Sequence, residues 1–315
     1  IHCRPRDVKY LVKWWSGAKA SAPTLEVKKR KGRRDCSFRL RFAYEEYRDL
    51  SLRDEPLDRR LALAVDLGIN NDAVCSVMAA DGAILGRRFI NFPREKDRMN
   101  HLLNKQRGEQ RDHGRYGGRR TWDQINNLND QLPANIARAI VDMAVEHGVN
   151  VIVFEALDFH GRIRGRKAQR LHLWRKRAIQ DMVEHKAHRN LIRISRVCAW
   201  GTSRLAFDGS GEILRGRVNL TNDELAALIA METKDRKKAK GCPETHCGQE
   251  RCTFLNGKEY NCDLSASYNI GARYFLREWC KVTPGLEETL PKTTQRTYAN
   301  LKALKPQHSY RKAAA

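Results

Sequence analysis

The hydrophobic period of the chain changes along its length, and the changes mark its elements. Residues 61–70 (LALAVDLGIN) open with five apolar positions and no polar interruption. That pattern predicts a strand buried on both faces. It ends on one carboxylate, Asp66, and Gly68 then lets the backbone turn without a side chain in the way. Residues 73–80 (AVCSVMAA), the pair Asp81-Gly82 and residues 83–90 (AILGRRFI) form a hairpin signal, so the first three strands are predicted to be a meander. Two helices should follow. One covers residues 94–111, with Met99, Leu102 and Leu103 at helical spacing; the other covers residues 135–147 (NIARAIVDMAVEH), closed by Gly148. A second uninterrupted apolar strand, residues 149–157 (VNVIVFEAL), again carries a single acid, Glu155.

The period is less regular elsewhere. Residues 159–170 (FHGRIRGRKAQR) are rich in Gly and Arg and predict a basic loop; a helix over 171–189 and a short strand over 191–199 come next. Residues 202–240 break the periodicity and end in KDRKKAK. Asp263 opens a further helix through about Trp279, at a position from which its side chain could cap the helix start. From Thr283 onward no period survives, which predicts a basic, poorly packed tail. At the front, residues 8–15 and 36–47 (CSFRLRFAYEEY) alternate apolar or aromatic with charged residues around the basic run at 28–34, and read as strands of a small basic β domain. Interleaved Arg and aromatics suit base stacking and phosphate pairing, and suit an ordinary half-exposed sheet equally well. Residues 53–60 (RDEPLDRR) read as a linker.

Charge narrows the partners. The 315 residues carry 60 Lys and Arg against 37 acids, a formal net charge of +23, and the basic residues are spread along the whole chain. A membrane surface would favour their concentration on one amphipathic helix, and no apolar run approaches the roughly 18 residues needed to span a bilayer. Nucleic acid is the expected partner. The start at Ile1, with neither Met nor a signal-peptide pattern, suggests a piece of something longer. Nine cysteines, four of them between Cys242 and Cys262, look like metal-site spacing in a reducing compartment rather than a disulfide framework.

Asp66, Glu155 and Asp263 are the candidate chemistry. If the first and fourth strands of a mixed sheet lie side by side, Asp66 and Glu155 become neighbours, and a helix across the sheet can bring Asp263 to them. Three carboxylates so close repel unless divalent cations hold them, and oxygen-only ligands favour Mg²⁺ or Mn²⁺. A pair of such ions suits phosphodiester hydrolysis. Each acid singly also has a structural reading, as a salt-bridged residue or a cap.

The motifs AVDLGIN at Asp66, VIVFEAL at Glu155 and CDLSASYNIGAR at Asp263 resemble the split triad of the RuvC-type nuclease in TnpB proteins and type V CRISPR effectors. Lys186-Ala187 and Thr202-Ser203 look like landmarks of that family too. The resemblance implies an α/β, RNase H-like (RuvC) mixed sheet flanked by helices, with an N-terminal basic β segment and a cysteine-rich insertion. It divides the chain into 1–60, the end of a wedge-type β domain; 61–200, the first part of the nuclease core; 201–262, a target-strand-loading or zinc insertion; 263–282, the last core helix; and 283–315, the basic tail. It implies catalytic, Mg²⁺- or Mn²⁺-binding roles for Asp66, Glu155 and Asp263. Nucleic-acid contacts are expected at Arg162, Arg164, Arg166 and Lys186, the three arginines on a lid or on a plain solvated loop.

The family's first C-x-x-C is replaced here by Ala206 and Gly209, while Cys242, Cys247, Cys252 and Cys262 remain, with gaps of four, four and nine residues. One tetrahedral zinc on these four, with His246 able to substitute, stands against free thiols. The implied activity is RNA-guided, Mg²⁺-dependent DNA cleavage in a prokaryotic cytoplasm, with guide RNA and target DNA as partners and no membrane. An effector of the same lineage that binds without cutting is the rival, and a stand-alone nuclease acting on DNA junctions is a third possibility.

Overall fold

The computed structural model of the chain describes residues 4–15, 19–29, 36–45, 47–68, 71–114, 118–156, 176–231 and 250–304. Two compact units divide it, Ile1–Asp49 and Leu50–Ala315. In the first, helix α1 (Pro5–Trp15) occupies the stretch expected to be a strand. Val8, Leu11, Val12 and Trp15 fall at i, i+3, i+4 and i+7, a helical stripe that a short window also reads as alternation. Asp7 in its first turn accepts a 2.7 Å bond from Arg4. The strand expected over 36–47 forms as β3 (Cys36–Arg41) and β4 (Tyr44–Glu45), and two strands that were not expected pair with them antiparallel, β2 (Thr24–Lys29) with β3 and β1 (Lys19–Ala20) with β4.

The second unit begins with 3₁₀ turns at Leu50–Arg53 and Leu57–Arg59, where a linker was expected, and Arg60 is tied in by a 3.1 Å bond from its Nη1 to the Tyr274 hydroxyl. The three expected strands follow as an antiparallel meander: β5 (Leu61–Asp66), β6 (Ala73–Ala79) and β7 (Ile84–Ile90). Gly82 takes a φ of +80° in the turn between β6 and β7. Helices α2 (Pro93–His113) and α3 (Arg119–Glu146) then lead to β8 (Val151–Ala156), parallel to β5, and α4 (Lys176–Arg189) precedes β9 (Arg193–Cys198), parallel to β8. The sheet order is β7-β6-β5-β8-β9. Helix α3 starts sixteen residues before its apolar period becomes regular and continues through Pro133, because Ile125 and Leu128 pack on Met99, Leu102 and Leu103 of α2.

Both faces of the sheet are covered, which is why β5, β6 and β8 carry hardly any polar residues. Leu63, Val65, Cys75, Val77, Ile152 and Phe154 pack against α3 and α4. Ala62, Ala64, Val74, Met78, Val151 and Val153 face the long helix near the C-terminal end of the described chain. Before that helix lies a small antiparallel sheet, β10 (Leu214–Arg215), β11 (Arg251–Thr253) and β12 (Glu259–Asn261), with helix α5 (Asn222–Ala230) capped by a Thr221–Glu224 box. The long helix is α6 (Cys262–Val282). It lies close to the sheet at Gly271, where a Cβ would stand 2.9 Å from the Met78 methyl and 3.2 Å from Ala64.

Residues 283–304 are not the loose tail that their composition suggests. They form α7 (Leu286–Thr289), a 3₁₀ turn (Thr293–Gln295) and α8 (Tyr298–Ala303), with Leu301 fully buried against α6. Leu301, with Leu290, Tyr298 and Leu304 beside it, and hydrogen bonds with the Arg273 and Asn269 side chains hold this segment, and these scattered apolar positions give no hydrophobic period to read. Among the described residues, no helix is long and apolar enough to cross a membrane.

Candidate active site

Side-chain parity brings the strand acids together. Even positions of β5 and odd positions of β8 face α6, so Asp66 continues the row of Ala62 and Ala64, and Glu155 that of Val151 and Val153. The parallel register pairs Ala62 with Val151 and Ala64 with Val153, which sets Asp66 next to Glu155 on adjacent strands. Each is only 7% exposed. Asp263 comes from above, as the second residue of α6. It is not the cap: Asn261 is, its side-chain oxygen accepting a 2.9 Å bond from the Leu264 N–H. Relieved of that duty, the Asp263 carboxylate accepts a 3.2 Å bond from the Asn71 amide, across the turn that leaves β5. Gly68 makes that turn possible, since a Cβ there would sit 2.6 Å from the Asn71 carbonyl oxygen and 3.7 Å from Asp263.

The three acids share one field. Burial pushes the Asp66 carboxyl well above the usual carboxylate range, and the charges of Glu155 and Asp263 push it further. Lys176, at the start of α4, opposes them; burial depresses its ammonium although all three acids attract it. Thr202 donates its hydroxyl to the Glu155 carboxylate, with the Ala199 carbonyl 2.9 Å from the same oxygen, and Gln180 donates to the Glu155 backbone carbonyl at 3.1 Å. Among the described residues, no three His, Cys, Asp or Glu side chains are gathered closely enough to ligate one metal ion as they stand. Hydrogen bonds draw Glu155 towards Thr202 and Asp263 towards Asn71, which is where mutually repelling carboxylates rest. The donor set is nonetheless of the kind that hard divalent ions take: three carboxylates, two of them buried and Asp263 half-buried, with their repulsion only partly offset by Lys176 and Arg215.

A supporting layer was not legible as chemistry. Asn269, fully buried on α6, donates to the carbonyls of Thr202 (3.0 Å) and Leu205 (2.8 Å) and accepts from the Tyr298 N–H (3.0 Å). One turn on, Arg273 donates to the carbonyls of Cys198, Trp200, Thr294 and Arg296 at 2.7–3.0 Å. Together they fix the loop that delivers Thr202 to Glu155. The signal in the sequence was two polar residues at i and i+4 inside the otherwise apolar face of SYNIGARYF. Asn71 and Lys176 gave none.

The other expected site residues fare differently. Arg162, Arg164, Arg166, Cys242 and Cys247 lie outside the described residues. Lys186 sits in the last turn of α4, ten residues and so roughly 15 Å along the helix axis from Lys176, and is no part of the acid cluster. Cys252 and Cys262 are both buried, in one cluster with Ala206 and Phe254. Their hydrogen bond, with burial, pushes the Cys252 thiol up, while the same bond pulls the Cys262 thiol down. Ala206, which stands where the family has a cysteine, therefore fills that place with a methyl group. Phe207, Phe254, Tyr260, Tyr268 and Tyr298 stack around it at centroid distances of 4.8–6.3 Å. The described residues thus supply two thiols, fewer than a closed zinc site needs.

Comparison with known proteins bears on the lineage. No protein-family profile matches the sequence. A TnpB-like protein of Aquifex aeolicus (strain VF5) is 28% identical over 146 residues, 40% of this chain and 47% of the relative. The chain is similar to TnpB-like proteins. The resemblance to TnpB proteins is thereby borne out. Among solved structures, a Cas12f1–sgRNA–target DNA complex overlaps 84% of this chain and 48% of its own (TM-score 0.48, 16% identity). An AacC2c1–sgRNA binary complex overlaps 69% and 39% (TM-score 0.44, 11% identity). The chain spans about half the length of the TnpB-like relative and of the Cas12f1 chain.

Proposed function

We propose that this chain is the nuclease part of an RNA-guided DNA endonuclease, built on an RNase H-like, RuvC-type sheet, with a guide RNA and target DNA as partners. The observation that carries this reading is the placement of Asp66 and Glu155 side by side at the ends of parallel strands, on the face where α6 presents Asp263. Asp66, Glu155 and Asp263 would hold Mg²⁺ or Mn²⁺, which when bound activates water and steadies the leaving oxygen in phosphodiester hydrolysis. The chain's own residues do the positioning. Thr202 orients Glu155, Asn71 orients Asp263, and α6 keeps water from that face of the sheet beneath them. The net charge of +23 supplies contacts to phosphates without reading sequence. Residues 1–60 belong on this reading to a wedge-type domain, and Arg162, Arg164 and Arg166 follow a strand into the site.

Asp66→Ala should abolish Mg²⁺-dependent cleavage by the guided, full-length protein while leaving nucleic-acid binding nearly intact. Loss of both together would make Asp66 a structural residue and end the proposal. Lys176 among the acids favours a second reading, an effector of the same lineage that binds and does not cut. A protein that binds guided target tightly yet leaves it whole in Mg²⁺ establishes that one.

Zinc belongs to the same proposal, held by Cys242, Cys247, Cys252 and Cys262. The adjacency of Cys252 and Cys262 at the root of α6 supports it. Elemental analysis should find about one zinc per chain; folded, active protein without zinc rejects it.

A further inference from the structure

At the end of the sheet opposite the carboxylates, a cavity of about 160 Å³ opens between the first residues of β8 and β9, the 3₁₀ turns before β5, and α6. We propose that this cavity is a phosphate site that seats one backbone phosphodiester of a bound nucleic-acid strand, independently of whether the acid site cuts.

The lining is rich in donors and poor in acceptors. Arg60, Arg193 and Arg277 border it, against two carboxylates, Asp54 and Glu278, which leaves one positive charge in excess. Asp54 is divided between Arg193, at 2.8 Å, and Arg60, at 3.8 Å. Glu278 is divided between Arg277, at 3.0 Å, and Lys281, at 2.9 Å. Glu278 holds Arg277 through both its Nε and Nη2, each at 3.0 Å, and the Arg196 carbonyl takes Nη1, so Arg277 is committed, whereas Arg60 and Arg193 have one carboxylate, Asp54, between them. The neutral groups also turn their donors inward. Asn150 commits its side-chain oxygen to the Leu61 N–H at 2.9 Å, which leaves its amide hydrogens for the cavity. The hydroxyls of Tyr274 and Ser195 accept from Arg60 (3.1 Å) and Arg277 (2.8 Å), so each keeps its own proton to donate. Such a wall suits a tetrahedral oxyanion, which only accepts. At roughly 30 Å³ per water, the cavity has space for a phosphate group and bridging water.

Arg60 and Arg193, which share Asp54, are therefore the pair that a phosphate would bridge. Here Asp54 stands in for the ligand: it rides on a short exposed turn, 44% exposed at its side chain, and can swing away when a phosphate takes its place between Arg60 and Arg193.

The test is the affinity of the full chain for a short labelled single-stranded RNA and a DNA duplex, read by fluorescence anisotropy across a salt series. Arg193→Gln should weaken binding by about 3- to 10-fold and reduce the slope of log K against log salt by about one. Asp54→Asn should tighten binding about threefold, as removal of an internal competitor requires. Arg138→Gln, on the exposed face of α3, is the control and should leave the slope unchanged. Equal losses from Arg193→Gln and Arg138→Gln would reduce the effect to net charge and overturn the site. Thermal unfolding with inorganic phosphate as the added ligand separates the sources. Protection of the parent but not of Arg193→Gln, with unaltered RNA and DNA affinities, would assign the cavity to the free ion and overturn the strand. If Arg193→Gln fails to fold, Asp54→Asn decides alone: unchanged or weaker binding overturns the proposal.

Discussion

Thr202 is the residue on which the geometry of the acid cluster turns. Its hydroxyl donates to the Glu155 carboxylate, and it reaches there because Asn269 and Arg273 hold the carbonyls of its loop. Thr202→Val keeps the shape and removes the donor, leaving one oxygen of a buried carboxylate without its partner. Cleavage should fall by about 10- to 100-fold, the usual cost of losing a residue that orients a metal ligand. Thr202→Ser should restore most of it. Single-turnover rates at saturating Mg²⁺ make the measurement, with unfolding midpoints to check that Thr202→Val has not simply loosened the fold. Arg273 differs in kind, because it touches no acid and ties four carbonyls from two segments. Arg273→Met should cost about 3–5 kcal/mol of stability in a urea titration, the scale for breaking a buried charged network.

Among the elements, those with a strong period were the ones legible in the sequence. The meander and the strand that carries Glu155 follow from uninterrupted apolar runs and the Asp81-Gly82 turn, and the side-by-side placement of β5 and β8 matches the expectation. Three elements misled for separate physical reasons. Residues 8–15 satisfied both strand and helix periods over a single short window, and the helix won. Asp263 had cap chemistry at a helix start, but Asn261, two residues earlier, took the cap. Residues 283–304 had polar composition because hydrogen bonds rather than an apolar stripe fasten them: Arg273 to Thr294 and Arg296, Asn269 to Tyr298. A chain ended after Val282 should therefore lose its cooperative unfolding transition by circular dichroism, although the sheet and α6 are complete. Were that segment a tail, the transition would persist unchanged.

On the scale of the whole molecule, charge and fold answer separate questions. The excess of 23 positive charges is distributed over both units, so on the proposed function it would draw nucleic acid to the chain without orienting it. Orientation needs places where a few cations converge around space. The cavity of Arg60, Arg193 and Arg277 is one such place, at the end of the strands away from the acids. A strand seated there would be positioned by the same sheet that carries Asp66 and Glu155, since Asn150 and Arg193 stand at the roots of β8 and β9.

The split of the carboxylates between strands and a late helix has a consequence in time. Asp66 and Asp263 are 197 residues apart (263 − 66), and translation adds about 5–20 residues per second. The third carboxylate thus leaves the ribosome roughly 10–40 seconds after the first, and the clamp formed by residues 283–304 later still. For that interval the nascent chain is already strongly basic and surrounded by messenger and ribosomal RNA. It holds two acids of three, so the cluster on which the proposed cleavage depends is complete only once α6 has docked on the sheet.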